Sequence, residues 1–288
     1  MSIFLFLATV LTVLEIILAY PTEGGRLSNV SLEEKEIDFE PRNVIVDSQF
    51  KWPTSRDGNV YIPYEIHNLE PDAENVLHQM IDLFRQKSCI RWIPRTTETD
   101  YVQVRPKYEN GQPVGYCEAM VGRVGGRQHI SVTSLCLGLW HNPRRWALAH
   151  EMMHTLGFFH EQQRPDSRCY IEVSPDGETD MVNNGVITDF LVDITFPYDF
   201  HSIMHYNIPS FFKTLQGETI SIEGDEPSFL DWWKIKNAYC GYPHFCEYNK
   251  DVCDKHNAHI SQCYLENRMK PFEKPNDRGW FKDPVKGM

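Results

Sequence analysis

The chain has 288 residues, 41% of them hydrophobic and 12% aromatic, enough for one large folded domain or two small ones with a real core. Its formal net charge of −12 excludes the basic face that a nucleic-acid binder needs to neutralise phosphates. Partners are therefore expected among proteins, peptides or small molecules.

The first twenty residues, MSIFLFLATVLTVLEIILAY, are almost wholly apolar and end in Ala19 and Tyr20 before Pro21. They read as a secretory signal peptide; a membrane anchor is the rival reading, disfavoured by Glu15 inside a run short for a span. Residues 21–42 are polar and acidic without an apolar period, the composition of a short propeptide, and Asn29 opens a glycosylation sequon with Val30 and Ser31. The mature protein is expected to be secreted, extracellular and free of the membrane. Eight cysteines, Cys89, Cys117, Cys136, Cys169, Cys240, Cys246, Cys253 and Cys263, then point to disulfides.

Val60, Ile62, Tyr64 and Ile66 alternate as in a strand, with Pro63 suggesting a sheet edge. Pro71 suits a first helical turn, and Ala73, Val76, Leu77, Met80, Ile81 and Phe84 recur at steps of three and four, which predicts an amphipathic helix of about fifteen residues or more. CIRWIPR, DYVQVRP and RQHISV read as short strands. NPRRWALAHEMMHTLGFF predicts a second long helix, with Asn142 as cap, Pro143 in the first turn and Gly157 as a left-handed stop. Loops dominate after residue 160, and the segment 241–288 reads as a cysteine-containing tail without apolar period. Strands mixed with two helices give an α+β fold class.

HEMMHTLGFFHEQQRPD, residues 150–166, concentrates the chemistry. His150 and His154 lie four apart, so one helix face aims both imidazoles at one point, where neutral nitrogens can hold zinc. Glu151 stands beside such a metal as a general base for a water molecule. A catalytic zinc needs a third protein donor and an open position; His160 supplies the donor once Gly157 turns the chain back. Two histidines on a helix are by themselves an ordinary feature, whereas the longer pattern with Gly157 and His160 in register is a metal signature.

The stretch fills every fixed position of HExxHxxGxxHExxRxD and so resembles the astacin family of zinc metallopeptidases, within the metzincins. SIMHY at residues 202–206 is similar to that family's methionine turn, and the likeness extends over about residues 43–240. The resemblance implies a two-lobed fold with a mixed sheet and an active-site helix in the N-terminal lobe and a loop-rich C-terminal lobe. It implies one zinc per chain, Met204 as an apolar floor, and Tyr206 as a further ligand that swings away to stabilise the oxyanion. It makes GRQHISV the edge strand for an extended substrate, and it pairs Cys89 with Cys240 and Cys117 with Cys136.

The resemblance further implies a zymogen cut after Arg42 by a trypsin-like protease, with the new amino terminus at Asn43 buried near Glu161. Arg164 and Asp166 then read as structural ion-pair partners. Two departures stand out. The family's FxGD aspartate switch is missing, Asp38 and Glu40 being the nearest acids, and the region around DGETDMVNN is acidic where some members are basic. Cys246, Cys253 and Cys263 with His256 and His259 leave a second zinc site as an alternative to disulfides. The expected activity is hydrolysis of protein or peptide substrates; a non-catalytic binding protein on the same fold and a zinc hydrolase of non-peptide substrates are the rivals.

Overall fold

In the structure, a computed structural model, residues 47–139, 143–180, 185–187, 194–222, 224–266 and 268 are described. The expectations for residues 1–20 and 21–42, for Asn29, Asp38, Glu40, Arg42, Asn43 and Asn142, and for 269–288 fall outside them. Among the described residues no helix is long and apolar enough to cross a membrane.

Strand β1 (Val60–Ile66) leads through helix α1 (Pro71–Lys87) into β2 (Ile90–Pro94), a crossover that lets β1 and β2 pair in parallel. Strand β3 (Tyr101–Arg105) pairs with the other side of β1, and a small hairpin of β4 (Tyr108–Glu109) and β5 (Gln112–Pro113) follows. Next come β6 (Glu118–Ala119) and β7 (Arg127–Ser131), giving a five-stranded sheet in the order β2-β1-β3-β7-β6. Within this sheet only the β6–β7 pair is antiparallel.

Two expectations change here. The strand carrying Pro63 is interior, yet Pro63 faces only β2, opposite Ile93, and the β3 ladder begins one residue later at Tyr64. The missing N–H therefore falls where no second partner asks for it. GRQHISV is likewise not the edge: β7 is flanked by β3 and β6, so the free edge belongs to the two residues of β6.

Helix α1 has the predicted apolar face, with Ala73, Val76, Leu77, Met80 and Phe84 buried, and its Asp72 and Glu74 at the start and Arg85 and Lys87 at the end suit the helix dipole. Helix α2 (Trp146–Thr155) is buried from Leu148 through Thr155, as a helix enclosed by the core must be. It begins later than the sequence suggested: Pro143 lies ahead of the helix and Arg145 occupies the cap position without a capping side-chain bond. The sheet, α1, α2, Met204 and residues of a later helix share one core.

Beyond residue 160 the chain is less loop-like than its sequence suggests. Helix α3 (Pro175–Thr179) follows strand β8 (Ile171–Val173), which pairs with β9 (Phe212–Thr214). Helix α4 (Phe229–Tyr239) is opened by a reciprocal cap between Ser228 and Asp231. Helices α5 (Phe245–Tyr248) and α6 (Lys250–Leu265) occupy the segment read as a tail. Disulfides join Cys89 to Cys240, Cys117 to Cys136, Cys169 to Cys263 and Cys246 to Cys253, so the third ties α6 to the body and the fourth links α5 to α6.

Candidate metal centre

His150, His154 and His160 converge: one ligand atom from each lies within 4.8 Å of the others, and all three residues are buried. Helix α2 supplies the first two. Gly157, at φ 90°, reverses the chain after the helix and brings His160 back, a backbone state that a residue with Cβ adopts at a cost.

The end of α2 is fastened on three sides, which fixes where the ligands point. Its terminal carbonyls, orphaned in any helix, are taken by partners from elsewhere in the chain. Gly122 N–H donates to the His154 carbonyl at 2.8 Å, the Trp52 indole to that of Thr155 at 2.9 Å, and the Tyr239 hydroxyl to that of Leu156 at 2.6 Å.

The donor set fits zinc. The Nδ1 atoms of His150 and His154 lie 2.6 and 2.7 Å from the carbonyl oxygens of Ile203 and Phe158, so each Nδ1 carries the proton and each Nε2 keeps its lone pair for a metal. Burial holds His150 down to about 4, and burial together with His150 holds His154 at about 3. Burial, with His154 and His150 beside it, also sets His160 well below the ordinary histidine value. All three imidazoles are thus neutral at physiological pH, the form that coordinates.

Glu151 is buried beside them, and its Oε2 has no hydrogen-bond partner among the described residues. Burial, with Glu118 adding, pushes this carboxyl up to about 8. A buried carboxyl oxygen without a protein partner next to three neutral imidazoles fits a site built to hold a cation and a water.

Tyr206 stands over the cluster, its ring 4.4 Å from that of His160 and 6.3 Å from that of His150. Burial, with Glu151 next, raises its hydroxyl, so it stays a proton donor through the physiological range. Met204 is buried in the main core. The turn that carries both is held by Asp231, which accepts from the Ser202 hydroxyl at 2.7 Å and from Ile203 N–H at 3.0 Å while capping α4. Ile203 in turn orients His150.

Behind His160 lies a buried ion cluster. The Arg164 guanidinium forks onto Asp166 at 2.9 and 2.8 Å, reaches Glu161 Oε1 at 2.7 Å and gives its remaining N–H groups to the carbonyls of Phe196 and Pro197. Lys234 Nζ meets Glu161 Oε2 at 2.8 Å. Burial alone would raise Glu161, but Lys234 and Arg164 bring it down to about 2.

Lys234, Asp231, Gln162, Trp52 and Tyr239 are supporting residues that the sequence did not single out. A signal existed for Asp231, three residues after Ser228 in the pattern of a capping box. The second zinc site is not formed: the sulfurs of Cys246, Cys253 and Cys263 are in disulfides, while His256 meets the Tyr170 hydroxyl at 2.6 Å and His259 the Cys169 carbonyl at 2.9 Å. Among the described residues His150, His154 and His160 are the one group found that could hold a metal ion.

The profile of the astacin peptidase family matches residues 45–240. Curated relatives include the low choriolytic enzyme of Oryzias latipes, 28% identical over 173 residues that make up 59% of each protein. The zinc metalloproteinase nas-14 of Caenorhabditis elegans is 29% identical over 241 residues, covering 76% of this chain and 43% of that protein. The chain thus spans about half the length of the curated relatives it matches. A solved structure of the hatching enzyme HCE-1 from Oryzias latipes superposes with a TM-score of 0.55 at 26% identity, over 67% of this chain and 95% of that one. With the signature residues converged and the family profile spanning residues 45–240, the chain belongs to the astacin family of zinc metallopeptidases.

Proposed function

We propose that this chain is a secreted zinc endopeptidase that cleaves protein substrates and is made as a zymogen. The observation that carries the reading is the pairing of three neutral, convergent imidazoles with the unpartnered buried carboxylate oxygen of Glu151.

His150, His154 and His160 would hold the metal, with Tyr206 as a further ligand at rest. Zinc held there supplies Lewis-acid activation of a water and of the scissile carbonyl. Glu151 takes the water's proton and passes it to the leaving nitrogen, so that amine departs neutral. The Tyr206 hydroxyl, still protonated, would donate to the developing oxyanion. An extended peptide would pair with the open edge at β6, which lies antiparallel on β7 and packs beside α2.

Residues 21–42 would be removed when a trypsin-like protease cuts after Arg42 and leaves Asn43 as the first residue. Secretion through the leader 1–20 accounts for four disulfides with no free cysteine among the described residues. Mass spectrometry of the protein secreted by a eukaryotic host tests both points: loss of 1–20, a start at Asn43 after processing, and one zinc per chain are expected. Retention of the leader, or a processed protein with no metal that leaves denatured proteins intact, overturns the reading.

A further inference from the structure

The ion cluster behind His160 contains a cation that the family signature does not include. Arg164 is spoken for by Asp166, onto which it forks with two bonds. Glu161 shares one guanidinium nitrogen, and its own charge is balanced by Lys234, whose ammonium lies 2.8 Å from Oε2 with both side chains nearly sealed from solvent, at 2% and 4% exposure. Asp199 N–H adds a third donor to Glu161, on Oε1 at 2.9 Å. Asp199 and Asp231, the other carboxylates of this region, draw on donors of their own: His201 N–H and the Ser228 hydroxyl for Asp199, Ser202, Ile203 N–H and Ser228 N–H for Asp231.

Lys234 sits on α4, far along the chain from Glu161, and α4 is anchored at its end by the Cys89–Cys240 disulfide. Glu161 follows the third ligand directly, and its N–H donates to the Met204 carbonyl at 2.9 Å. A lysine in this seat therefore fixes the side chain of the residue that joins the third ligand to the methionine turn.

We propose that Lys234 is the positioning cation of the metal site, so that the seat of Glu161 is set by α4 and does not depend on a new amino terminus at residue 43. This rests on the metallopeptidase reading, and it makes a definite alternative wrong: a site completed only when the amino group of Asn43 reaches Glu161.

The test inserts Gly-Ser between Arg42 and Asn43 of the full chain, so that processing leaves an amino terminus displaced by two residues. Zinc affinity by chelator competition, melting of the metal-free protein, and peptide cleavage are compared with the processed wild type. We expect zinc affinity within about threefold of wild type and an unchanged melting temperature. Lys234→Met should weaken zinc binding about tenfold or more and lower the metal-free melting temperature, because it strands a buried carboxylate. Lys234→Met combined with Glu161→Gln should recover most of both losses.

A displaced terminus that costs about tenfold in zinc affinity, or a Lys234→Met protein indistinguishable from wild type, overturns the proposal. If Lys234→Met does not fold, the insertion protein decides alone, since it keeps Lys234. Zinc binding and melting that follow Lys234, in proteins that cleave no peptide, would uphold this inference and sink the peptidase reading.

Discussion

Glu161 N–H donates to the carbonyl oxygen of Met204 at 2.9 Å, so the residue after the third ligand and the turn before Tyr206 are bonded backbone to backbone. A second rung runs from Tyr206 N–H to Gln162 Oε1 at 3.1 Å. Gln162→Leu removes that acceptor while keeping roughly the same bulk. It should cost about 1 kcal/mol of stability, read by urea unfolding, with a modest fall in zinc affinity; an unchanged midpoint would show that the second rung contributes nothing.

The disulfides differ in the loop they close. Cys89–Cys240 spans a separation of 151 residues and Cys117–Cys136 one of 19. The chain-entropy account makes the longer loop worth roughly 2 kcal/mol more. Replacing each pair by serines in separate proteins should reproduce that order in unfolding free energy, the loss of Cys89–Cys240 being the larger, since it also frees the end of α4.

Acid stability follows from Glu161. Its carboxyl sits at about 2 in the folded chain against an ordinary value of 4.5, because Lys234 and Arg164 outweigh its burial. A depressed carboxyl contributes stability that is present above its unfolded value and lost as pH falls towards its folded value. Folding free energy should therefore decline between about pH 4.5 and about pH 2, with this one group giving up to about 1.4 kcal/mol per pH unit. Glu161→Gln, less stable at neutral pH, should show a shallower acid slope in unfolding curves; an identical slope would remove Glu161 from the account.

Much of this architecture is legible in the sequence because the signals are dense. Helix α1 announces itself by Pro71 and a run of apolar residues at helical steps, and the three ligands by fixed spacings around Gly157. Helix α6 is as regular but hidden, because its buried face is made of Cys253, His256 and Cys263, with Ile260 partly buried beside them. Those positions recur at steps of three and four, but a histidine and two cysteines do not register as an apolar stripe until the disulfides and the Tyr170 contact are known.

The sheet edge is hidden for a different reason: β6 is two residues long, too short for alternation to show. Lys234 gives no sign, since a lysine in a helix is ordinarily solvent-facing and only the fold brings Glu161 to it.

The most direct test of the account is the Glu151→Gln protein, processed and zinc-loaded beside the wild type, scored together for bound zinc and for cleavage of a denatured protein. The account predicts one zinc in each and a loss of cleavage of about a hundredfold or more in the variant, with wild-type cleavage abolished by a chelator and restored by zinc. Undiminished cleavage by Glu151→Gln with its zinc in place, or a wild type that binds no zinc, would contradict it.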